Sequence, residues 1–170
     1  PGSCSDPDYY NAGFGTANES QGVIRYMAAQ PHVDGTRVVM IGHSAGGWGT
    51  LAVASRNPTG VAAVINFAGG RGSPSAGSNC RPERLVETAT RYGATARLPS
   101  LWVYAANDQF FAPALAREMF EAFVRGGSPA EFKAAESFGM DGHQLFLDAV
   151  GMNRWVPVVT EFLRTQKLMP

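Results

Sequence analysis

A serine with glycines two positions away on either side, Gly42-His43-Ser44-Ala45-Gly46, sits at a change of pattern in this chain. Before it runs Arg37-Val38-Val39-Met40-Ile41, apolar and β-branched, which predicts a strand; after it Gly47 to Arg56 reads as a helix. A Gly-x-Ser-x-Gly turn between strand and helix holds a serine in a strained backbone conformation, so that its hydroxyl stands clear of the sheet. Gly42 and Gly46 lack a Cβ and are expected to let helix and strand approach. The helix N-terminus aims free N–H groups at the same place, where developing negative charge is stabilised. The chemistry this implies is nucleophilic attack on an acyl carbon, with the Ala45 N–H as one oxyanion donor.

A serine hydroxyl needs a base, and the base an orienting acid. The chain has three histidines. His32 follows Pro31 in a polar turn before the strand, which places it at the opposite end of the sheet. His43 adjoins the serine, but its side chain is directed away from the hydroxyl, so it is read as supporting or packing. His143, in Met140-Asp141-Gly142-His143-Gln144, follows the last expected strand and is the candidate base. For the acid, Asp108 follows the strand that ends at Ala106, whereas Asp141 reaches the imidazole only through a tight local turn. Asp108 is the better candidate and gives the chain order Ser…Asp…His.

The elements that must position these groups alternate. Residues 1–15 read as a loop or arm, then a helix over Thr16–Gln30 and the strand Arg37–Ile41. A buried run Val61–Phe67, a Gly- and Ser-rich loop Ala68–Arg81, a helix Pro82–Tyr92 and a buried run Ser100–Ala106 follow. A helix Pro113–Val124, a strand Ala130–Phe138 and a terminal helix Val156–Leu168 complete the chain. Unbroken apolar runs of strand length signal strands buried on both faces. Strands alternating with helices signal right-handed βαβ units around a parallel sheet. The fold class is therefore α/β, a mostly parallel sheet with helices on both faces, in a single domain spanning residues 1–170.

Composition narrows the partners. Hydrophobic residues make up 45% and charged residues 16%, which is a globular balance. Fourteen basic and fourteen acidic residues cancel without a basic run, which argues against nucleic acid. No apolar run reaches the ~20 residues of a membrane helix. Cys4 and Cys80 make no metal-binding pattern, and neither a metal nor a cofactor is expected. The pair are either free thiols or one disulfide tying the N-terminal arm to the middle of the domain. The disulfide, expected because both lie in loops without another partner, implies an oxidising compartment, periplasmic or extracellular. The chain begins with Pro1 and not Met, so a signal peptide, a tag or a longer N-terminal region is expected to precede it. Phe110, Phe111 and Trp48 are candidates for an acyl pocket, Trp48 equally for plain core. Arg71, in Gly69-Gly70-Arg71-Gly72, can bind a substrate carboxylate or lie in a surface loop.

The order Ser44, Asp108, His143, each after its own strand, resembles the α/β-hydrolase superfamily. Gly42-His43-Ser44-Ala45-Gly46-Gly47, Tyr104-Ala105-Ala106-Asn107-Asp108 and Asp141-Gly142-His143 resemble its dienelactone-hydrolase-like and prolyl-oligopeptidase-like branch. The likeness runs from the first helix onward. It implies a serine hydrolase cleaving a small carboxylic ester. The alternatives are a peptidase of prolyl-oligopeptidase type and a non-catalytic binding module on the same scaffold. Dienelactone hydrolases proper carry a cysteine nucleophile where this chain has Ser44, so their substrate is not implied. In full members several strands precede the nucleophile; here one does. The chain is therefore expected to be the C-terminal portion of the fold, incomplete at its N-terminal side and short of the second oxyanion donor. Further N-terminal chain, or a second copy, is expected to supply the missing strands.

Overall fold

The computed structural model describes residues 2–170; Pro1, where the expected arm begins, lies outside the described residues. Strands β1 (Gly2–Ser3) and β2 (Asp6–Pro7) pair antiparallel in a short ribbon. Helix α1 then runs Tyr9–Ala28, starting well before the expected Thr16. The Asp8 carboxylate caps it by accepting from Asn11 N–H at 3.0 Å, and Tyr9, Gly13 and Ala17 form its buried stripe at four-residue spacing. Gly and Asn in this stretch had read as loop.

The βαβ alternation follows: β3 (Val38–His43), α2 (Ala45–Arg56), β4 (Val61–Phe67), α3 (Pro82–Thr95), β5 (Ser100–Ala105), α4 (Pro113–Arg125) and β6 (Ala130–Ala135). A 3₁₀ turn at Gly142–Gln144 and helix α5 (Met152–Thr165) close the chain. Strand β6 stops short of the expected Phe138 because Phe138 N–H donates to the Asn107 side chain at 2.8 Å and leaves the ladder. Helix α5 starts before the expected Val156 and carries Pro157 inside it. Proline forfeits one helical hydrogen bond there, while Trp155 in the preceding turn packs on Phe67 and Phe146.

Strands β3-β4-β5-β6 form one sheet in that order, and every pair is parallel. Alternate residues of β5 serve opposite faces. Trp102 and Tyr104 join the core under α1 to α4, and Leu101, Val103 and Ala105 join the core under α5 with Val159 and Phe162. Helices thus cover both faces, four on one and one on the other. Cys4 and Cys80 form a disulfide with Cα atoms 4.9 Å apart. Among the described residues no helix is long and apolar enough to cross a membrane, and no cluster of three metal-ligating side chains exists.

Candidate active site

Ser44 sits between the end of β3 and the first turn of α2 with φ 54° and ψ −122°. L-residues avoid this region, and it persists only where neighbours over-determine it. Here they do. Ser44 N–H donates to the Phe67 carbonyl at 3.0 Å. The Ser44 carbonyl accepts from Trp48 N–H at 3.0 Å and from Gly70 N–H at 3.2 Å. A Cβ on Gly42 would strike the backbone of Gly46 and Gly47, as expected for strand and helix in close approach. The expectation for Gly46 is corrected: a Cβ there meets open space. The glycine of the first helical turn that is required is Gly47, whose Cβ would meet the Asn66 side chain and the Gly69 backbone. Ala45 and Gly46 are exposed, and the Ala45 N–H, in the unsatisfied first turn, is free to donate.

His143 is held at the same sheet edge by the 3₁₀ turn. Its Nδ1 lies 3.2 and 3.1 Å from the two oxygens of Asp108. The Asp108 side chain is fully buried, and its Oδ1 also accepts the N–H groups of Phe110 and Phe111, each at 2.8 Å. A carboxylate accepts only, so the ring proton sits on Nδ1 and Nε2 is left as an acceptor. Asp141 does not touch the imidazole. Its Oδ1 accepts from the backbone of His143 at 2.9 Å and of Gln109 at 3.0 Å, which ties the histidine turn to the loop after β5. His43 faces away from Ser44. Its Nε2 meets the His143 carbonyl at 2.8 Å, so this nitrogen carries a proton. Burial holds the His43 imidazole below the usual histidine range. His32 is exposed in the turn before β3.

A cavity of about 510 Å³ opens over this edge. Ser44, Ala45, His143, Phe110, Phe111 and Arg71 all line it. The Ser44 hydroxyl makes no hydrogen bond to the His143 ring among the described residues. The Phe110 ring centroid lies 4.7 Å from that of His143, and Phe111 lies 5.8 Å away. Arg71 donates from Nη2 to Thr16 Oγ1 at 2.7 Å, and its buried Nε has no partner. Trp48 does not reach the cavity. It is fully buried and donates from Nε1 to the Tyr9 carbonyl at 3.0 Å, which makes it core.

Other residues of the site escaped the sequence reading. Asn66, fully buried in β4, donates from Nδ2 to Tyr104 Oη at 3.2 Å, and that hydroxyl donates to the Gly69 carbonyl at 2.6 Å. The pair pins the loop that carries Arg71. Asn66 is the one polar residue in an apolar run, which was the available signal. Ser3, Cys4, Tyr9 and Cys80 also line the cavity, and no local pattern marked them.

A parallel sheet with the serine turn, the acid and the histidine at its carboxyl edge defines the α/β-hydrolase class of fold. Solved structures carry the same fold. A puromycin-hydrolyzing peptidase of Mycobacterium tuberculosis superposes with a TM-score of 0.67 at 16% identity, covering 95% of this chain and 27% of its own. A putative dienelactone hydrolase from Klebsiella pneumoniae gives 0.63 at 19% identity, covering 86% and 59%. An esterase of Pyrococcus furiosus gives 0.62 at 10% identity, covering 89% and 61%. The chain thus spans less than two thirds of each of them. Residues 15–146 match the dienelactone hydrolase family, and the chain belongs to it.

Proposed function

We propose that this chain carries the catalytic centre of a serine hydrolase that cleaves a carboxylic ester through an acyl-enzyme. The observation that carries this reading is His143, held by the buried Asp108, lining one cavity together with Ser44. His143 Nε2 takes the Ser44 proton as the hydroxyl attacks the ester carbonyl. The oxyanion forms beside the Ala45 N–H at the positive end of α2. The tetrahedral intermediate collapses, the C–O bond to the leaving alcohol breaks, and His143 returns the proton to that alcohol. Water then attacks the acyl-enzyme with the same base, releasing the acid and restoring Ser44. Asp108 keeps the imidazole in the required tautomer and supports the imidazolium that forms. Phe110 and Phe111 form an apolar wall for the substrate. Arg71, with a free buried Nε and no carboxylate within ion-pair distance among the described residues, suits a substrate carboxylate.

Acyl transfer of this kind uses a second oxyanion donor beside the Ala45 N–H. We assign it to chain, or to a partner, that pairs with the outer edge of β3. The disulfide supports an oxidising compartment, periplasmic or extracellular, as the working location.

The test is hydrolysis of p-nitrophenyl acetate and butyrate, with Ser44→Ala as the blank, together with intact-mass detection of a fluorophosphonate adduct. A Ser44-dependent rate and a single adduct support the reading; no adduct on folded protein removes it in favour of a binding module. The match to the puromycin-hydrolyzing peptidase over 95% of this chain favours one second reading, amide cleavage. Turnover of an aminoacyl p-nitroanilide exceeding that of the ester would establish it.

A further inference from the structure

The N-terminal arm does more than precede the fold. Ser3 and Cys4 line the cavity that holds Ser44 and His143, and so does Cys80. The arm therefore builds one wall of the site from residues far away in sequence. That wall is latched at two ends. At one end lies the Cys4–Cys80 disulfide, spanning 76 residues of sequence. At the other, Tyr9, only 3% exposed, donates from its hydroxyl to the Cys80 carbonyl. The Tyr9 carbonyl in turn accepts from Trp48 Nε1 at 3.0 Å, and Tyr92 Oη donates to the Tyr10 carbonyl at 2.7 Å. The Cys80 N–H donates to the Gly72 carbonyl at 2.7 Å, so the arm is tied to the same loop that bears Arg71.

The two latches are unequal. Tyr9 and Tyr10 belong to α1 and stay fixed by the core. Residues 3–7 have a weaker hold. Their hydrogen bonds among the described residues fall within the arm itself. Pro7 is buried, but the ion pair Asp6–Arg84, at 3.7 Å and exposed, is of the kind that contributes little. The disulfide is thus the main tether of this wall. Cys4 is exposed and Cys80 buried, so an attacking thiolate approaches the bond from the Cys4 side.

We propose that the arm, through Ser3 and Cys4, forms a disulfide-latched wall that sets the size of substrate the cavity admits, and that a dithiol releases it. This rests on the reading of the cavity as an ester-cleaving site. In the release step a dithiol attacks the Cys4–Cys80 bond. The bond takes up two electrons and two protons to give two thiols, and the reductant leaves as its cyclic disulfide. The arm then swings from the cavity, whose remaining lining belongs to α1, α2 and the loops after β4, β5 and β6.

The experiment compares oxidised protein, dithiothreitol-reduced protein and the Cys4→Ser/Cys80→Ser double variant on p-nitrophenyl esters from acetate to octanoate. The expected result is a rise of tenfold or more in the octanoate-to-acetate ratio of kcat/KM on reduction and in the double variant. Acetate kcat should stay within threefold. In the oxidised protein, Ser3→Trp should lower octanoate kcat/KM at least tenfold more than acetate kcat/KM, which keeps the test open if the double variant does not fold. A parallel fall for all esters, or an unchanged ratio, overturns the proposal. A second readout needs no catalysis. Modification of Arg71 by phenylglyoxal, followed by mass spectrometry, should speed up at least fivefold on reduction, and an unchanged rate overturns the latch. Absence of Ser44-dependent turnover in oxidised protein would instead count against the esterase reading, with Arg71 labelling still deciding the latch.

Discussion

The two flanks of Ser44 are built to different standards. Toward β5 and β6, the Asp108 carboxylate is fully buried and accepts two backbone N–H groups besides the imidazole, while Asp141 ties the histidine turn to the facing loop. Beyond that flank the sheet ends in β6, whose exposed Glu131 and Lys133 are the charges that discourage further strand pairing. Toward β3, Ala45 and Gly46 are exposed, and the outer edge of the sheet carries Val38, Val39, Met40 and Ile41, with Ile41 45% exposed. Beside them α1 exposes Val23 and Tyr26, and an apolar groove of about 280 Å³ runs between helix and strand. One flank holds the Asp108–His143 pair with its hydrogen bonds made. The other offers one oxyanion donor and an unprotected edge. The difference teaches where the proposed chemistry is anchored: its acid–base half on buried, mutually bonded groups, its charge-stabilising half on an exposed turn beside an apolar sheet edge.

The largest expected effects lie on the buried flank. Ser44→Ala should abolish turnover to the blank. Asp108→Asn should lower kcat by about 10⁴-fold, because the amide leaves the imidazole in the wrong tautomer. Asp141→Ala removes only the acceptor of the His143 and Gln109 backbone N–H groups and should cost about tenfold. The measurement is kcat on p-nitrophenyl acetate for all three, with circular dichroism to check folding. Equal losses for the two aspartates would erase the distinction drawn here between orienting acid and loop tie.

The exposed flank predicts a gain. An oxyanion donor is worth ~3–4 kcal/mol, a hundredfold or more in rate. Supplying strands that pair with β3, by a longer chain or a partner, should therefore raise kcat about 10²-fold or more. On its own, the described sheet should self-associate through β3. Ile41→Lys should reduce that association and Glu131→Ile should create it at the other edge, as read by analytical ultracentrifugation. A monomer as active as the longer form would mean that the β3 edge needs no cover.

A pair of glycine substitutions tests how the elbow is packed. Gly47→Ala forces a Cβ into Asn66 and the Gly69 backbone and should destabilise the protein by about 1–3 kcal/mol. Gly46→Ala meets open space and should be neutral or stabilising by about 0.5 kcal/mol through helix propensity. Urea midpoints decide between them.

This pair also marks the limit of what the sequence made legible. The strand–turn–helix around Ser44, the parallel alternation and the sheet edge bearing Asp108 and His143 are all local patterns, and all could be read from spacing. The essential glycine could not, because Gly46 and Gly47 differ only in what β4 brings against them. Helix α1 is longer than its residue pattern predicts because Gly13 and Gly15 mask a start that Asp8 and the buried Tyr9 enforce. The arm's place in the cavity depends on a pairing between Cys4 and Cys80 that no periodicity encodes. The disulfide itself is expected from two loop cysteines, but that it sets the arm against the cavity of Ser44 and His143 rests on packing that neither cysteine encodes locally.

The smallest effect expected is a pH dependence carried by His43, between the two flanks. Its ring lies 4.6 Å from that of His143 and 6.0 Å from that of Phe146, and its Nε2 donates to the His143 carbonyl. Burial is the first cause that lowers its pKa. The neighbouring His143 adds to this, while the carbonyl hydrogen bond and Asp108 oppose it. With the folded value below the unfolded one, the unfolded chain takes up the proton first. The contribution to stability is then whole above the ordinary histidine value of about 6.5 and is lost as pH falls through the folded value. His43→Gln keeps a donor for the carbonyl and removes the titration. Its urea midpoint should therefore fall less than that of the wild type between pH 7.5 and pH 5. Its kcat at pH 7.5 should stay within about tenfold, since glutamine still anchors the histidine turn. A variant that loses as much acid stability as the wild type would show that His43 is not charged on unfolding in this range, and that the acid sensitivity belongs to other groups.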